Sequence, residues 1–277
     1  MNILFRNFLR LLSAGTFGTD EAIEPMSGYK WNKLILMAKG HGIQDFVYAG
    51  IMKAATANGR MIPQATYAMA QSCQAGIKAA TEDGDGRQTF QAARREKKFS
   101  NIILNNKYGK IVFNEVHSID TSIETLVFLD KMISNVNNLL NSGVILKDIA
   151  DIGFYLRSHG DKIDFVKAED WFKQLKLRMM ADIIGCHLIL LFHFDKEELQ
   201  YTKSISDKLL ANVAADLEKA FAKVPEAAYD DAADNTNAIY PVNKPSAQPL
   251  KYFRSFPVET SSRFVMNIIK SLSNIDE

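Results

Sequence analysis

Cysteine is scarce in this chain: 277 residues contain two, Cys73 and Cys186. Neither has a second cysteine or a histidine at metal-ligand spacing, which leaves no zinc motif and no disulfide framework to read. Both lie in apolar, helical-looking surroundings, where a free thiol acts as a small core residue. Surplus charge is also missing. With 33 basic and 32 acidic side chains the net charge is +1. No global field draws the chain to nucleic acid or to an anionic membrane. Long apolar runs are missing too. The run 183–194 is twelve residues long with two histidines inside it, short of the about 20 needed to span a bilayer. It reads as a buried core helix. At the start, Arg6 and Arg10 interrupt every apolar run, so the segment lacks the h-region of a signal peptide. A soluble, cytoplasmic protein is expected. Walker loops, G-x-S-x-G and H-E-x-x-H are not found.

Apolar residues make up 47% of the chain and charged residues 23%. That is the balance of a globular protein with a substantial core. Helical spacing dominates. Ile3, Leu4, Phe8, Leu11 and Leu12 share one side of a first amphipathic helix. Trp31, Leu34, Ile35 and Ala38 share another face, and so do Phe46, Val47, Gly50 and Ile51. The break between these two helices falls at Gly40, His41 and Gly42. Pro63 suits the first turn of a further helix. Residues 81–86 are a turn by composition.

Residues 101–104 and 110–116 are rich in β-branched side chains, with Asn105, Asn106 and Gly109 between them. This pattern predicts a β-hairpin, with Ile102, Leu104, Ile111 and Phe113 as its buried side. Beyond it, Ile149, Ile152 and Leu156 form an apolar stripe that Gly160 closes. Asp164 is placed to cap the next helix, which carries Ala168, Trp171 and Phe172 on one face. Four of the seven prolines fall in 223–250. The expected fold is therefore mainly α: a helical, bundle-like domain over 1–222 with one small hairpin near 100–117. An extended excursion follows over 223–250, and a C-terminal helix within 251–277 docks back.

Chemistry-bearing residues are few. Asp83 and Asp85 form a D-x-D pair of the kind that holds Mg²⁺ on a triphosphate. Their flanks, Glu82 and Gly86, are not strand formers, and no Gly-Ser turn precedes them. An exposed loop is the plainer reading. On a strand of period two, Glu115 and His117 face the same side, an acid beside an imidazole. Asp148 and Asp151 share a polar helix face, with Lys147 able to pair with Asp151. His187 and His193 are six apart and point in different directions on a regular helix. Arg94, Arg95, Lys97 and Lys98 read as a solvated helix end rather than a nucleic-acid site. No resident metal or cofactor is called for, and Mg²⁺ enters only if the D-x-D pair is catalytic. Partners are unspecified: a protein or a small molecule fits the composition, a membrane does not, and nucleic acid fits poorly.

Two separated stretches carry a further pattern. The first comprises Leu9, Arg10 and Leu11, then Trp31, Asn32, Lys33 and Leu34, Ala38 to Ile43 with its His41-Gly42, and Val47-Tyr48. The second runs from Gly143 to Asp151, then through Leu156, Lys162-Ile163-Asp164, Trp171 and Leu175-Lys176-Leu177. Together they resemble an uncharacterised bacterial nucleotidyltransferase family. Tyr252 to Pro257 is similar to the family's C-terminal end. Between the stretches the family carries a Lys-Gly segment, an Arg and a Gly-Asp-Ile-Asp strand, and residues 60–110 hold none of these in order. Phe113 to His117 resembles its E-x-H strand, with Glu115 as a remnant third carboxylate. The resemblance therefore implies a helical framework kept while the catalytic core is reduced or lost. The chain is then a non-catalytic binding or interaction module. The alternatives are an active, divergent nucleotidyltransferase using Glu115 with Asp83 or Asp85, and a purely structural interaction protein.

Overall fold

The computed structural model describes residues 3–58, 62–77, 98–203, 205–222 and 251–273. Among them are eleven α-helices and no β-strand. The chain divides into two compact units, Met1–Asp85 with Ala222–Pro241, and Gly86–Phe221 with Val242–Glu277.

The first unit contains α1 (Ile3–Phe17), α2 (Gly28–Gly40), α3 (Gln44–Asn58) and α4 (Gln64–Ile77). Phe8, Leu11 and Leu12 of α1 are buried, as are Trp31 and Leu34 of α2 and Val47, Tyr48 and Ile51 of α3. The break expected at Gly40 to Gly42 is the α2–α3 turn, where Gly42 takes the left-handed conformation (φ +62°). α1 and α3 cross with their backbones in contact. A Cβ on Gly50 would lie 1.9 Å from the carbonyl oxygen of Leu11, and one on Gly15 would lie 1.8 Å from that of Phe46. Two glycines facing in this way set the crossing distance, because any side chain would wedge the helices apart. The segment between α1 and α2 is tied back by Glu24. Its carboxylate accepts from Arg6 Nε at 2.8 Å and Nη2 at 2.7 Å, and from Arg10 Nη1 at 2.9 Å. Asn7 pairs with the Glu24 backbone in both directions. The Arg6 guanidinium, more than Arg10, holds the Glu24 carboxyl down at about 2.

The second unit contains α5 (Ile102–Val116), α6 (Ile123–Asn141), α7 (Leu146–His159), α8 (Phe165–Gln174), α9 (Arg178–Phe192), α10 (Asp207–Ala222) and α11 (Pro257–Ser273). Its core joins Phe128, Leu129 and Ile133 of α6 to Ile149 and Ile152 of α7, Phe172 of α8, and Ile184 and Leu188 of α9. Phe128 meets Tyr201 edge-on at 5.2 Å. Asp164 caps α8 as its position predicts, accepting from the backbone of Val166 and Lys167 at 3.0 Å.

The expected β-hairpin is not formed: residues 102–116 are one helix, α5. Its buried residues, Leu104, Tyr108, Ile111, Val112 and Glu115, recur at i, i+4, i+7, i+8 and i+11, the spacing of a helix face. Asn101 caps it by accepting from Ile103 and Leu104. Ile102 and Phe113, expected on the buried side, are 73% and 49% exposed. β-Branched composition is a weak preference, and packing of one face overrides it. The hairpin loop expected at 105–109 is the middle of the helix.

One carboxylate governs how α11 meets α5. Glu259 has no exposed surface. It accepts from the backbone N–H groups of Ser100 at 2.7 Å and Asn101 at 3.0 Å, and pairs with Arg263 Nε at 2.9 Å. The Arg263 guanidinium also donates to Asn137 and Asn141 of α6. Three elements thus share one buried charge pair.

Two outcomes test these packing arguments by chemical denaturation. Gly50→Ala drives a Cβ into backbone and is expected to destabilise the first unit by about 3 kcal/mol, the upper part of the overpacking range. Glu259→Ala strands Arg263 and two N–H groups and is expected to cost the second unit about 3–5 kcal/mol.

Candidate functional site

The residues expected to carry chemistry do not converge. Asp83 and Asp85 lie outside the described residues. Glu115 and His117 do not share a side, because a helix rather than a strand carries them and two helical residues are about 200° apart. Glu115 is buried and His117 is exposed at the end of α5. The His117 ring lies 4.2 Å from that of Phe113, with Nδ1 2.7 Å from the Phe113 carbonyl oxygen.

Glu115 sits where α5, α6 and α8 meet. Its Oε1 accepts from the backbone N–H of Ser122 at 2.7 Å and from Lys167 Nζ at 3.1 Å. Ser122 is the N-cap of α6, so the carboxylate lies at the positive end of that helix. The Glu115 carbonyl accepts from Thr121 Oγ1 at 2.8 Å. Lys167 also reaches the Asp120 carbonyl and, at 3.6 Å, its carboxylate. Its hydrogen bond to Glu115 holds the Lys167 ammonium above the ordinary lysine range. This arrangement neutralises Glu115 and braces three helices with it.

Other clusters are equally occupied. Asp148 receives the side-chain amide of Asn138 at 2.7 Å. Burial raises the pKa of Asp148 and Asp151 alike. Among the described residues, no group of three or more His, Cys, Asp or Glu is placed to hold a metal ion. In the first unit a cleft of about 210 Å³ is lined by Arg10, Thr19, Asp20, Glu21 and Lys53 among others. Its cations already face carboxylates: Lys53 is 2.9 Å from Asp20, and Arg10 is 3.7 Å from Glu21. Glu169 of α8 is surrounded by Lys173, Arg178 and Lys203. Lys203 foremost, with Lys173, holds its carboxyl below the usual range. Sequence spacing did not reveal that corner, because Lys203 comes from beyond α9. No helix among the described residues is long and apolar enough to cross a membrane.

His187 and His193 diverge as the helical geometry requires. His193 ends α9 in the left-handed conformation (φ 53°). His187 is buried beside Cys186. Desolvation, aided by Lys251 and opposed by Asp216, pulls the His187 imidazole down to about 4, and burial does the same to His41. Folding then disfavours the protonated rings. Their contribution is complete above the unfolded value near 6.5 and declines as pH falls from there toward about 4. Thermal midpoints measured across that window are expected to fall with pH. His187→Phe is expected to flatten the slope for the second unit.

No family model, curated protein or solved structure matches this chain.

Proposed function

We propose that this chain is a non-catalytic interaction module on a helical framework similar to that of the nucleotidyltransferase-like family. The observation that carries the reading is the placement of Glu115. Its carboxylate is bound by Lys167 and capped onto α6. To serve a metal-bound triphosphate it would have to leave both, taking the acceptor from the Ser122 N–H and leaving Lys167 to Asp120 alone. The residues behind the resemblance support the framework rather than a site: Trp31, Leu34, Val47, Tyr48, Leu156, Trp171, Leu175 and Leu177 are all core side chains. One feature available to a partner among the described residues is the outer face of α5, where Ile102, Ile103, Phe113 and Val116 are exposed. Large apolar side chains gathered on one surface mark interaction sites more often than they decorate a monomer.

Calorimetric titration with ATP, CTP, GTP and UTP in the presence of Mg²⁺ tests this reading, together with an assay for released pyrophosphate. No turnover is expected from the full chain. Glu115→Gln is expected to lower stability by about 1.5–3 kcal/mol, the worth of hydrogen bonds to a charged group. Pyrophosphate release that Glu115→Gln abolishes without unfolding the chain would replace this reading with the divergent enzyme.

A further inference from the structure

The connector between α1 and α2 is an arch pinned at both ends. At one end Gly18 donates its N–H to the Ala14 carbonyl at 3.1 Å, and its own carbonyl accepts from Lys53 of α3. At the other end the Glu24 carboxylate holds Arg6 and Arg10, and Asn7 holds the Glu24 backbone. Residues 19–23 span between these anchors and form one wall of the cleft of about 210 Å³, with α1 and α3 as the others. The space is left by short side chains, Ala14, Ala22 and Ala54, which line it. Walls fixed in this way form a site before any ligand arrives.

The polar groups of the cleft are paired, but not fully used. Arg10 is committed to Glu24 at 2.9 Å. Its distance to Glu21 is 3.7 Å, too long for a hydrogen bond. The Glu21 carboxylate therefore accepts no hydrogen bond among the described residues. Lys53 is 2.9 Å from Asp20, whose side chain is 88% exposed. An ion pair so open to water contributes little and is readily exchanged. Thr19, in the same wall, has a buried Oγ1 with no hydrogen-bond partner among the described residues.

These features select a class of ligand. The walls carry two cations and two carboxylates, so a ligand of one sign leaves a charge without its counterpart. A ligand of both signs does not. Its carboxylate replaces Asp20 at Lys53, and the released Asp20 joins Glu21 in accepting from its ammonium. Leu11 and Ile23 supply an apolar floor. The volume is below the about 300–1,000 Å³ that holds a drug-sized molecule, which excludes a nucleotide and suits a single amino acid. We propose that this cleft binds one free α-amino acid with a branched apolar side chain, its carboxylate on Lys53, its ammonium on Glu21 and Asp20, and its side chain on Leu11 and Ile23.

The site lies wholly in the first unit, apart from Glu115, so it goes beyond the interaction-module reading and does not depend on it. It is tested by saturation-transfer NMR and calorimetric titration of the full chain with three probes. L-Leucine carries both charges, 4-methylpentanoate the carboxylate alone and 3-methylbutylamine the ammonium alone, all on the same apolar group. Leucine is expected to bind saturably, and each of the other two at least tenfold more weakly. Ala54→Leu fills the cleft and leaves its charges in place; it is expected to abolish leucine binding without lowering the thermal midpoint. Glu21→Gln is expected to weaken leucine at least tenfold with an unchanged circular dichroism spectrum. The proposal is overturned if leucine shows no saturable binding, or if either half-charged probe binds as tightly. Leucine binding that survives Ala54→Leu overturns it too. The pyrophosphate assay reads the other unit, so either reading can fail while the other stands.

Discussion

The buried charge of Glu259 dictates how the helices of the second unit are arranged at its edge. A carboxylate without access to water must be satisfied by the protein, and it is: by two backbone N–H groups at the start of α5 and by Arg263 one turn further along its own helix. The guanidinium then needs acceptors for its remaining donors and finds them on Asn137 and Asn141 of α6. Each partner is required because leaving any buried charge unpaired costs several kcal/mol. The C-terminal helix, the entry to α5 and the end of α6 are held together by that requirement.

The same physics recurs down the chain. Glu115 closes the start of α6 and Asp164 closes the start of α8, each carboxylate or its neighbours accepting from N–H groups that a helix leaves open. Thr125 of α6 extends the theme by accepting from the backbone of Asp164 at 2.8 Å. Acidic residues in this unit are thus used as joints between successive helices. A carboxylate committed in this way contributes stability and orientation, and it is not free for a metal or a proton in flight.

Glycine is used in two ways along the chain. In the first unit the close crossing of α1 and α3 consumes two glycines internally. In the second, α5 carries a glycine with nothing over it, flanked by exposed isoleucine and valine. The first pair is explained by the backbone it touches, whereas Gly109, like Gly28, Gly42 and Gly160, has no such neighbour within 4 Å.

Much of the helical framework was legible in the sequence because apolar residues recur at three and four in long segments. α1, the α2–α3 break at Gly40 to Gly42 and the cap at Asp164 follow from spacing and from single residues whose backbone or hydrogen-bonding preference is strong. Residues 101–104 and 110–116 read as strands, yet 102–116 are helical, for a physical reason. Their composition favours a strand locally, while Leu104, Tyr108, Ile111, Val112 and Glu115 have somewhere to bury only as a helix face. The role of Glu115 was hidden with it, since Lys167 and Ser122 meet its carboxylate only when three helices come together. Glu259 and Arg263 are an unremarkable i, i+4 pair on paper, and burial makes them decisive. The sequence by itself determined a mainly helical chain with ordinary charge and little cysteine. Only the tertiary structure decided which carboxylates became joints and which helix face was left outward, because both depend on what lies opposite in space, and linear spacing does not record that.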